Sequence, residues 1–297
     1  MYRDDLERMA QVSQKKAQYL SHSLGGYIIL SALAGIYLGL GICLIFSIGA
    51  PFAAEDAAAL KLVMGASFGV ALTLVIFAGS ELFTGNNMVC TVGALSRTIT
   101  WGQVGCLFFW SFVGNMAGSL GIAWLIAQSG VLAAAPQSHL VMKIAAMKMH
   151  APAMELFIRG ILCNLLVCLA VWTAARTTND AAKILLIFWC LFAFVGSGFE
   201  HSIANQSVLG IALFLPHGEP ISWMGFFRNQ LWVGLGNILG GAVLVGGAYW
   251  FASPYRLPQS HSFSSTNSAT TPETSRSSDE PEQGLSMHTG IPPFPAG

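Results

Sequence analysis

This chain of 297 residues has little charge, since Lys, Arg, Asp and Glu together make up 9% of it. A soluble domain carries about 25%. Basic and acidic residues balance at 14 each, so the net charge gives no reason to expect nucleic acid as a partner. Hydrophobic residues account for 54% of the chain. Because such a chain could not cover a soluble surface, the composition predicts a polytopic membrane protein.

Several functional signatures are also missing. The six cysteines form no CxxC pair and lie in apolar segments, which argues against a disulfide framework or a metal site. The chain has no nucleophile motif, metal-ligand cluster or phosphate-binding loop, so no catalytic residue and no cofactor are predicted. The paired Asn-Pro-Ala motifs of aquaporins are absent. No apolar run precedes Leu24, so we expect no cleavable signal peptide.

The long apolar runs predict six membrane passes. Two of them, 62–96 and 184–216, exceed the roughly 20 residues of one span, yet each is too short for two. Each is interrupted by glycines around a polar patch. Irregular backbone inside a bilayer survives only where protein buries it or a cavity wets it. We therefore expect helices 2 and 5 to be broken, with the breaks near the midplane. The four ordinary helices are predicted in 24–50, 104–135, 152–175 and 231–253.

The distribution of Lys and Arg predicts that both termini are cytoplasmic. With the N-terminus inside, nine basic residues lie on the cytoplasmic side and four outside. The four are Lys61, Lys143, Lys148 and Arg228, while Arg159 lies within a span. Residues 1–23 are predicted to form a cytoplasmic interfacial helix and residues 24–254 the six-span channel domain. Residues 255–297, rich in Ser, Thr and Pro, are predicted to be a disordered cytoplasmic tail.

The two halves of the chain share a sequence pattern. The motif W-x3-G-N-x2-G begins at Trp110 and again at Trp232, an offset of 122 positions. Glu81 and Glu200 follow a break glycine at an offset of 119, and a weaker match pairs Gly39 with Gly160. Each half has three spans, an odd number, so the halves must cross in opposite senses. This predicts two inverted three-helix repeats whose broken helices face each other.

The polar patches of the two breaks share a glutamate but differ at the residue that follows it. Glu81 and Glu200 are equivalent, and a carboxylate there can accept hydrogen bonds from free backbone N–H groups, so we expect a structural role. His201 corresponds to Leu82 and breaks the symmetry. An ionisable side chain at this depth indicates function. The alternative from another class is a membrane enzyme that uses Glu200 and His201 as an acid–base pair, although adjacent residues point to different sides of a regular helix.

Four stretches resemble signature regions of the formate–nitrite transporter family. They are "GSELFTGN" (79–86), "GFEHSIAN" (198–205), "CNLLVCLAVW" (163–172) and "LGNILGGAVLVGGAYW" (235–250). The resemblance covers about residues 1–254, and "SELFTG" and "APAMELF" are most similar to the bacterial nitrite channels. It implies an aquaporin-like helical fold, a homopentamer with one pore per protomer, and a place among the lipids of the bacterial cytoplasmic (inner) membrane.

The resemblance also implies roles for individual residues, around a small chamber between two hydrophobic constrictions. Phe68 and Phe194 correspond to the outer constriction, and Leu72, Leu82 and Phe83 to the inner one. Thr84 and His201 correspond to the hydrogen-bonding pair of the chamber. Asn164 and Asn237 correspond to polar residues along the route, and Lys148 to a lysine near the outer mouth.

The implied function is transport of nitrite through the pore of each protomer. His201 would hydrogen-bond or protonate the anion between the constrictions. Formate and hydrosulfide stay open as substrates, because pore polarity does not separate small monovalent anions of similar size. A water or neutral-solute channel, of similar architecture, is a further alternative.

Overall fold

The computed structural model describes residues 2–218 and 220–253, so the predicted tail 255–297 lies outside the described residues. Every regular element in the described part is helical, and six stretches are long and apolar enough to cross a membrane. The helices are α1 (Arg3–His22), α2 (Leu24–Ala54), α3 (Leu60–Ser67), α4 (Gly69–Phe77), α5 (Phe83–Leu95), α6 (Trp101–Ser129), α7 (Gln137–His150), α8 (Ala153–Ala175), α9 (Asp180–Ser197), α10 (Ser202–Phe214), α11 (Trp223–Ile238) and α12 (Ala248–Ala252).

The six predicted passes are confirmed, including the two broken ones. One broken pass consists of α3 and α4 followed, after the break, by α5, and the other consists of α9 followed by α10. The last pass continues from α11 through a π-helical segment, Leu239–Gly247, into α12. Some of the remaining spans begin and end with ordinary signals. For example, a capping box at Thr100 starts α6, and left-handed Gly130 ends it.

The two half-helices after the breaks, α5 and α10, form the centre of the bundle. Every residue of α10 from Ser202 to Leu213 is buried, as is every residue of α5 from Phe83 to Ala94. The preceding segment α9 buries only Ile187, Leu191 and Phe194, and it leaves Trp189 61% exposed. The half-helices are therefore buried within protein, whereas the break glycines Gly79 and Gly198 are exposed and Gly198 lines a cavity, the other setting in which irregular backbone survives at membrane depth.

The outer spans approach each other closely at the last glycine of each W-x3-G-N-x2-G motif, Gly118 and Gly240. A Cβ at Gly118 of α6 would lie 1.9 Å from the backbone oxygen of Ala32, and one at Gly240 would lie 2.4 Å from that of Ile161. Such distances forbid any side chain, so these glycines allow α2 to pack on α6, and α8 on the last pass, at backbone distance. Close packing of this kind stabilises helix pairs in lipid, where the hydrophobic effect does not.

Equivalent hydrogen bonds confirm the repeat but correct its alignment. The N–H of Glu81 donates to the carbonyl of Leu30, and the N–H of Glu200 donates to that of Arg159. Leu30 is therefore equivalent to Arg159, an offset of 129, and the expected pairing of Gly39 with Gly160 is wrong. The loops between spans differ in length in the two halves, so no single offset aligns all three helices.

Each repeat also has a further helix in front of it. Lys16 of α1 lies 2.7 Å from Glu81, and Lys148 of α7 lies 2.8 Å from Glu200. These equivalent ion pairs make α1 the counterpart of α7. The apolar residues Leu6, Met9, Ala10 and Ala17 of α1 lie on one side of the helix and are buried. Its placement at a membrane interface stays a prediction, but the helix packs on the bundle through that side.

Candidate functional site

The site begins with the two breaks, where the backbone leaves the helical path. Gly79 and Gly198 adopt the left-handed conformation, with φ of 73° and 75°. A Cβ at either position would meet nothing within 4 Å, so the backbone angle, not crowding, requires glycine there. The half-helices then start at Phe83 and Ser202. Their first N–H groups point into the centre of the protein and need partners.

Asn115 and Asn237 form hydrogen bonds with the free backbone groups of the two breaks, one asparagine at each break, in the same way. The side-chain oxygen of Asn115 accepts from the N–H of Phe83, and its amide donates to the carbonyls of Ser31 and Glu81. The oxygen of Asn237 accepts from the N–H of Ser202, and its amide donates to the carbonyls of Gly160 and Glu200. Asn237, predicted to line the route, is therefore a connector between the last pass and the break.

Glu81 and Glu200 lie at the breaks as predicted, but their expected backbone partners are wrong. In the described residues the carboxylate of Glu81 accepts hydrogen bonds from Lys16 and Asn86, and that of Glu200 from Lys148 and Asn205. The N–H groups of Phe83 and Ser202 donate instead to Asn115 and Asn237, which reach the breaks from other helices. The glutamates instead anchor α1 and α7 to the bundle.

His201 and Thr84 come together, as the resemblance implied. The Nε2 atom of His201 lies 2.9 Å from Oγ1 of Thr84, and both residues are buried. Nδ1 of the same ring accepts from the N–H of Ala204, 3.1 Å away. Because a backbone N–H can only donate, Nδ1 carries no proton, and the neutral ring holds its proton on Nε2. His201 therefore donates to Thr84, and the hydroxyl hydrogen of Thr84 remains free to be donated elsewhere.

The partners of Glu200 and His201 are separate. The carboxylate of Glu200 is engaged by Lys148 and Asn205, whereas the imidazole contacts Thr84 and Ala204. The two side chains share no hydrogen bond. This arrangement does not place them as an acid–base pair.

A cavity of about 510 Å³, which we call the vestibule, opens between α2, α3, α7, α9 and α10. The buried residues Phe68, Phe194 and His201 line its floor. The rings of Phe68 and Phe194 meet edge to face with centroids 5.7 Å apart, and the ring of Phe194 stacks on that of His201 at 6.0 Å. The charged residues of the lining are four basic ones, Lys61, Lys143, Lys148 and Arg159, and two acidic ones, Asp56 and Glu200.

The residues predicted for the inner constriction are buried in the same apolar cluster as Phe68 and Phe194. Leu72, Leu82 and Phe83 are each at most 4% exposed. The Phe83 ring packs edge to face against Phe108 and Phe112 of α6, with centroids 5.9 and 5.1 Å away. This apolar packing lies directly beside Thr84 in the chain. Their role as a constriction stays a prediction.

Asn164 joins three elements at the centre of the protein. Its amide donates to the carbonyl of Thr84, the side chain of Asn87 and the carbonyl of Asn237. It is fully buried and is not among the residues that line the vestibule. Lys148 does line the vestibule, but its ammonium group is paired with Glu200.

The sequence reasoning missed the asparagines that complete the ion pairs. Asn86 links Glu81 to the hydroxyl of Tyr27, and Asn205 links Glu200 to Asn229. A signal was available, because both breaks carry the pattern E-x4-N. Lys61 and Lys143 of the vestibule were also missed, and no local pattern marks them.

Comparison with known proteins gives one consistent family. The formate/nitrite transporter family matches residues 3–251. The nitrite transporter NirC of Escherichia coli K12 is 43% identical over 270 residues, which cover 91% of this chain and 99% of that protein.

Two solved structures share the fold. One described as an FNT family ion channel superposes with a TM-score of 0.81 at 43% identity, covering 84% of this chain and 99% of that one. A second, a pentameric formate channel with formate bound, gives a TM-score of 0.63 at 28% identity, covering 76% and 96%.

Proposed function

This chain belongs to the formate/nitrite transporter family, and we propose that within it the chain transports nitrite, a small monovalent anion. The observation that carries the proposal is the pair His201 and Thr84 at the floor of a vestibule with more basic than acidic residues. The similarity to NirC over nearly its whole length supports nitrite in particular.

The route starts in the vestibule, where the excess of basic residues raises the local concentration of anions. The anion then passes between Phe68 and Phe194, whose apolar rings exclude bulk water and other ions. Beside these rings the anion replaces the oxygen of Thr84 as acceptor of the Nε2–H of His201, and it also accepts the hydroxyl hydrogen of Thr84. The positive N-terminal ends of α5 and α10 lie at the same place and favour negative charge. Leu72, Leu82 and Phe83 close the other side.

Between the two predicted roles of His201, the hydrogen-bonding role fits the geometry better. Proton transfer to nitrite requires the imidazolium form, in which Nδ1 carries a hydrogen. That hydrogen would displace the bond that Nδ1 accepts from Ala204. A neutral ring keeps this bond and still donates from Nε2. We therefore assign His201 the role of a hydrogen-bond donor that replaces part of the anion's hydration.

The placement in the membrane and the oligomeric assembly are also part of the proposal. We assign the protein to the bacterial cytoplasmic membrane, with α1 on the cytoplasmic side and the vestibule facing outward. The related formate channel is pentameric, and we propose the same assembly here, with one pore per protomer. Native mass measurement in detergent tests it. We assign the protein no catalytic activity.

The test is nitrite uptake by proteoliposomes. We expect His201→Leu, which copies the residue at the equivalent position Leu82, to reduce flux by about tenfold or more. A hydrogen bond to a charged group contributes about 1.5–3 kcal/mol, and about 1.4 kcal/mol is a factor of ten. The matched control is His139→Leu, since His139 is an exposed histidine on α7 and should leave flux unchanged. Wild-type flux in His201→Leu would contradict the proposed role.

The same assay separates the alternative substrates. Formate and hydrosulfide are offered in parallel with nitrite at equal concentration. Faster flux of formate would place the protein with the formate channels and keep the pathway. Water flux without any anion flux would overturn the proposal.

A further inference from the structure

The vestibule is much larger than the anion that it is proposed to admit. Its volume of about 510 Å³ lies within the range of about 300–1,000 Å³ that is typical for sites of drug-sized ligands. Nitrite has only three heavy atoms. Most of the wall is apolar, including Ile45, Phe46, Ile144 and Phe194. A small, strongly hydrated anion gains nothing from such a wall, whereas a ligand with an apolar body would.

The charged side chains of the vestibule differ between its buried end and its opening. Lys148, at the buried end, is neutralised by Glu200, and Arg159 is paired with Glu155 at 2.7 Å. Lys61 and Lys143 are exposed at the rim, and neither has an ion-pair partner in residues 2–218 and 220–253. Within the described residues the vestibule thus has two ammonium groups without an ion pair, those of Lys61 and Lys143, against one such carboxylate, that of the exposed Asp56, and its interior is apolar.

We propose that the vestibule is a binding site for amphipathic monocarboxylates. The carboxylate lies between Lys61 and Lys143 at the rim, and the apolar body extends inward along Ile45, Phe46 and Ile144 towards the ring of Phe194. A ligand in this position covers the way to His201 and blocks anion uptake from this side. The blocking part of the proposal rests on the proposed function, whereas the binding part does not.

The dependence of affinity on the length of the ligand and on its charge distinguishes this site from simple partition into lipid. Each added methylene buries apolar surface in the vestibule and should tighten binding about fourfold until the vestibule is full. Loss of the carboxylate charge removes the attraction to Lys61 and Lys143 and should weaken binding by about tenfold or more. Partition into lipid instead favours the uncharged compound.

The experiment measures binding to the full chain in lipid nanodiscs by calorimetry, with empty nanodiscs as the blank. The probes are phenylacetate, 3-phenylpropionate and 4-phenylbutyrate, with 4-phenylbutyramide as the uncharged counterpart. We expect saturable binding that tightens along the acids and is weakest for the amide. The double variant Lys61→Gln/Lys143→Gln should weaken binding of 4-phenylbutyrate by about tenfold. Lys183→Gln is the matched control, because Lys183 pairs with Asp180 on α9 and does not line the vestibule.

The outcomes separate this proposal from the proposed function. Equal affinity for acid and amide, or unchanged affinity in the double variant, would overturn the site. Saturable, charge-dependent binding by a protein that carries no nitrite would support the site and overturn nitrite transport. Where nitrite flux is present, 4-phenylbutyrate added on the vestibule side should inhibit it in the wild type and much less in the double variant. Flux that is insensitive to bound 4-phenylbutyrate would overturn the blocking role.

Discussion

Asn115 and Asn237 each replace hydrogen bonds that a helix break removes. Each accepts from the first N–H of a half-helix and donates to two carbonyls on different elements. One short amide thus pairs the free N–H and the free carbonyl at a break and also donates to a carbonyl of a neighbouring helix. The same residue serves both repeats because the geometry of the two breaks is the same.

We expect Asn237→Leu and Asn115→Leu to destabilise the protein to a similar extent. Each leaves one buried N–H and one buried carbonyl at a break unpaired, at about 1–3 kcal/mol per group. The comparison variant is Asn179→Ala, which removes an exposed cap of α9 and should cost only about 1 kcal/mol. Thermal unfolding midpoints in detergent measure the difference. Equal midpoints for all three variants would contradict the buried role.

The ion pair of Lys148 and Glu200 gives a second prediction at this scale. Their side chains are 18% and 5% exposed, so Lys148→Met leaves a carboxylate buried without its cation. Such a loss typically costs about 3–5 kcal/mol. Adding Glu200→Gln removes the stranded charge and should recover most of the thermal stability. If the double variant is no more stable than Lys148→Met, the loss comes from packing and not from charge.

At the scale of elements, glycine positions decide how closely the spans pack. Gly118 and Gly121 both lie on α6, but only Gly118 meets a neighbouring backbone, that of Ala32 on α2. At Gly121 a Cβ would find nothing within 4 Å. The motif glycines of both repeats are therefore contact residues, while other glycines on the same helix face open space.

The paired variants Gly118→Ala and Gly121→Ala test this difference. Gly118→Ala must push α2 and α6 apart and should lower the unfolding midpoint and the yield of folded protein. Gly121→Ala should be neutral or stabilising, because alanine favours a helix by about 1 kcal/mol over glycine. A stable Gly118→Ala protein would show that the helices separate without loss.

At the scale of the whole molecule, the inverted repeat places Lys16 and Lys148 on opposite faces. Three spans separate α1 from α7 along the chain, so we expect the two helices to lie on different sides of the membrane. If α1 is cytoplasmic, as the distribution of basic residues predicts, α7 and the vestibule face outward.

Cysteine labelling in intact cells checks this orientation. His139 on α7 and Thr178 between α8 and α9 are both exposed. A membrane-impermeant maleimide should react with His139→Cys in intact cells, and with Thr178→Cys only after permeabilisation. The wild type provides the background from its native thiols. The reverse pattern would place the vestibule in the cytoplasm.

The sequence alone determined the number of spans, the two breaks and the existence of a repeat. The thickness of the hydrocarbon core sets the length of a span. A polar patch between glycines within an apolar run indicates that the helix is broken there. These constraints are local, because each depends on residues that follow one another in the chain. The pairing of His201 with Thr84 came from the resemblance to a family.

Only the tertiary structure decided which side chains meet across the bundle. The partners of Glu81 and Glu200 are lysines 65 and 52 positions away, on helices whose docking no local pattern specifies. The same holds for Asn164, which joins three elements, and for the position of Lys61 and Lys143 at the vestibule rim. Contacts between distant segments depend on how helices pack and on loop lengths, so they emerge only when the whole chain is folded.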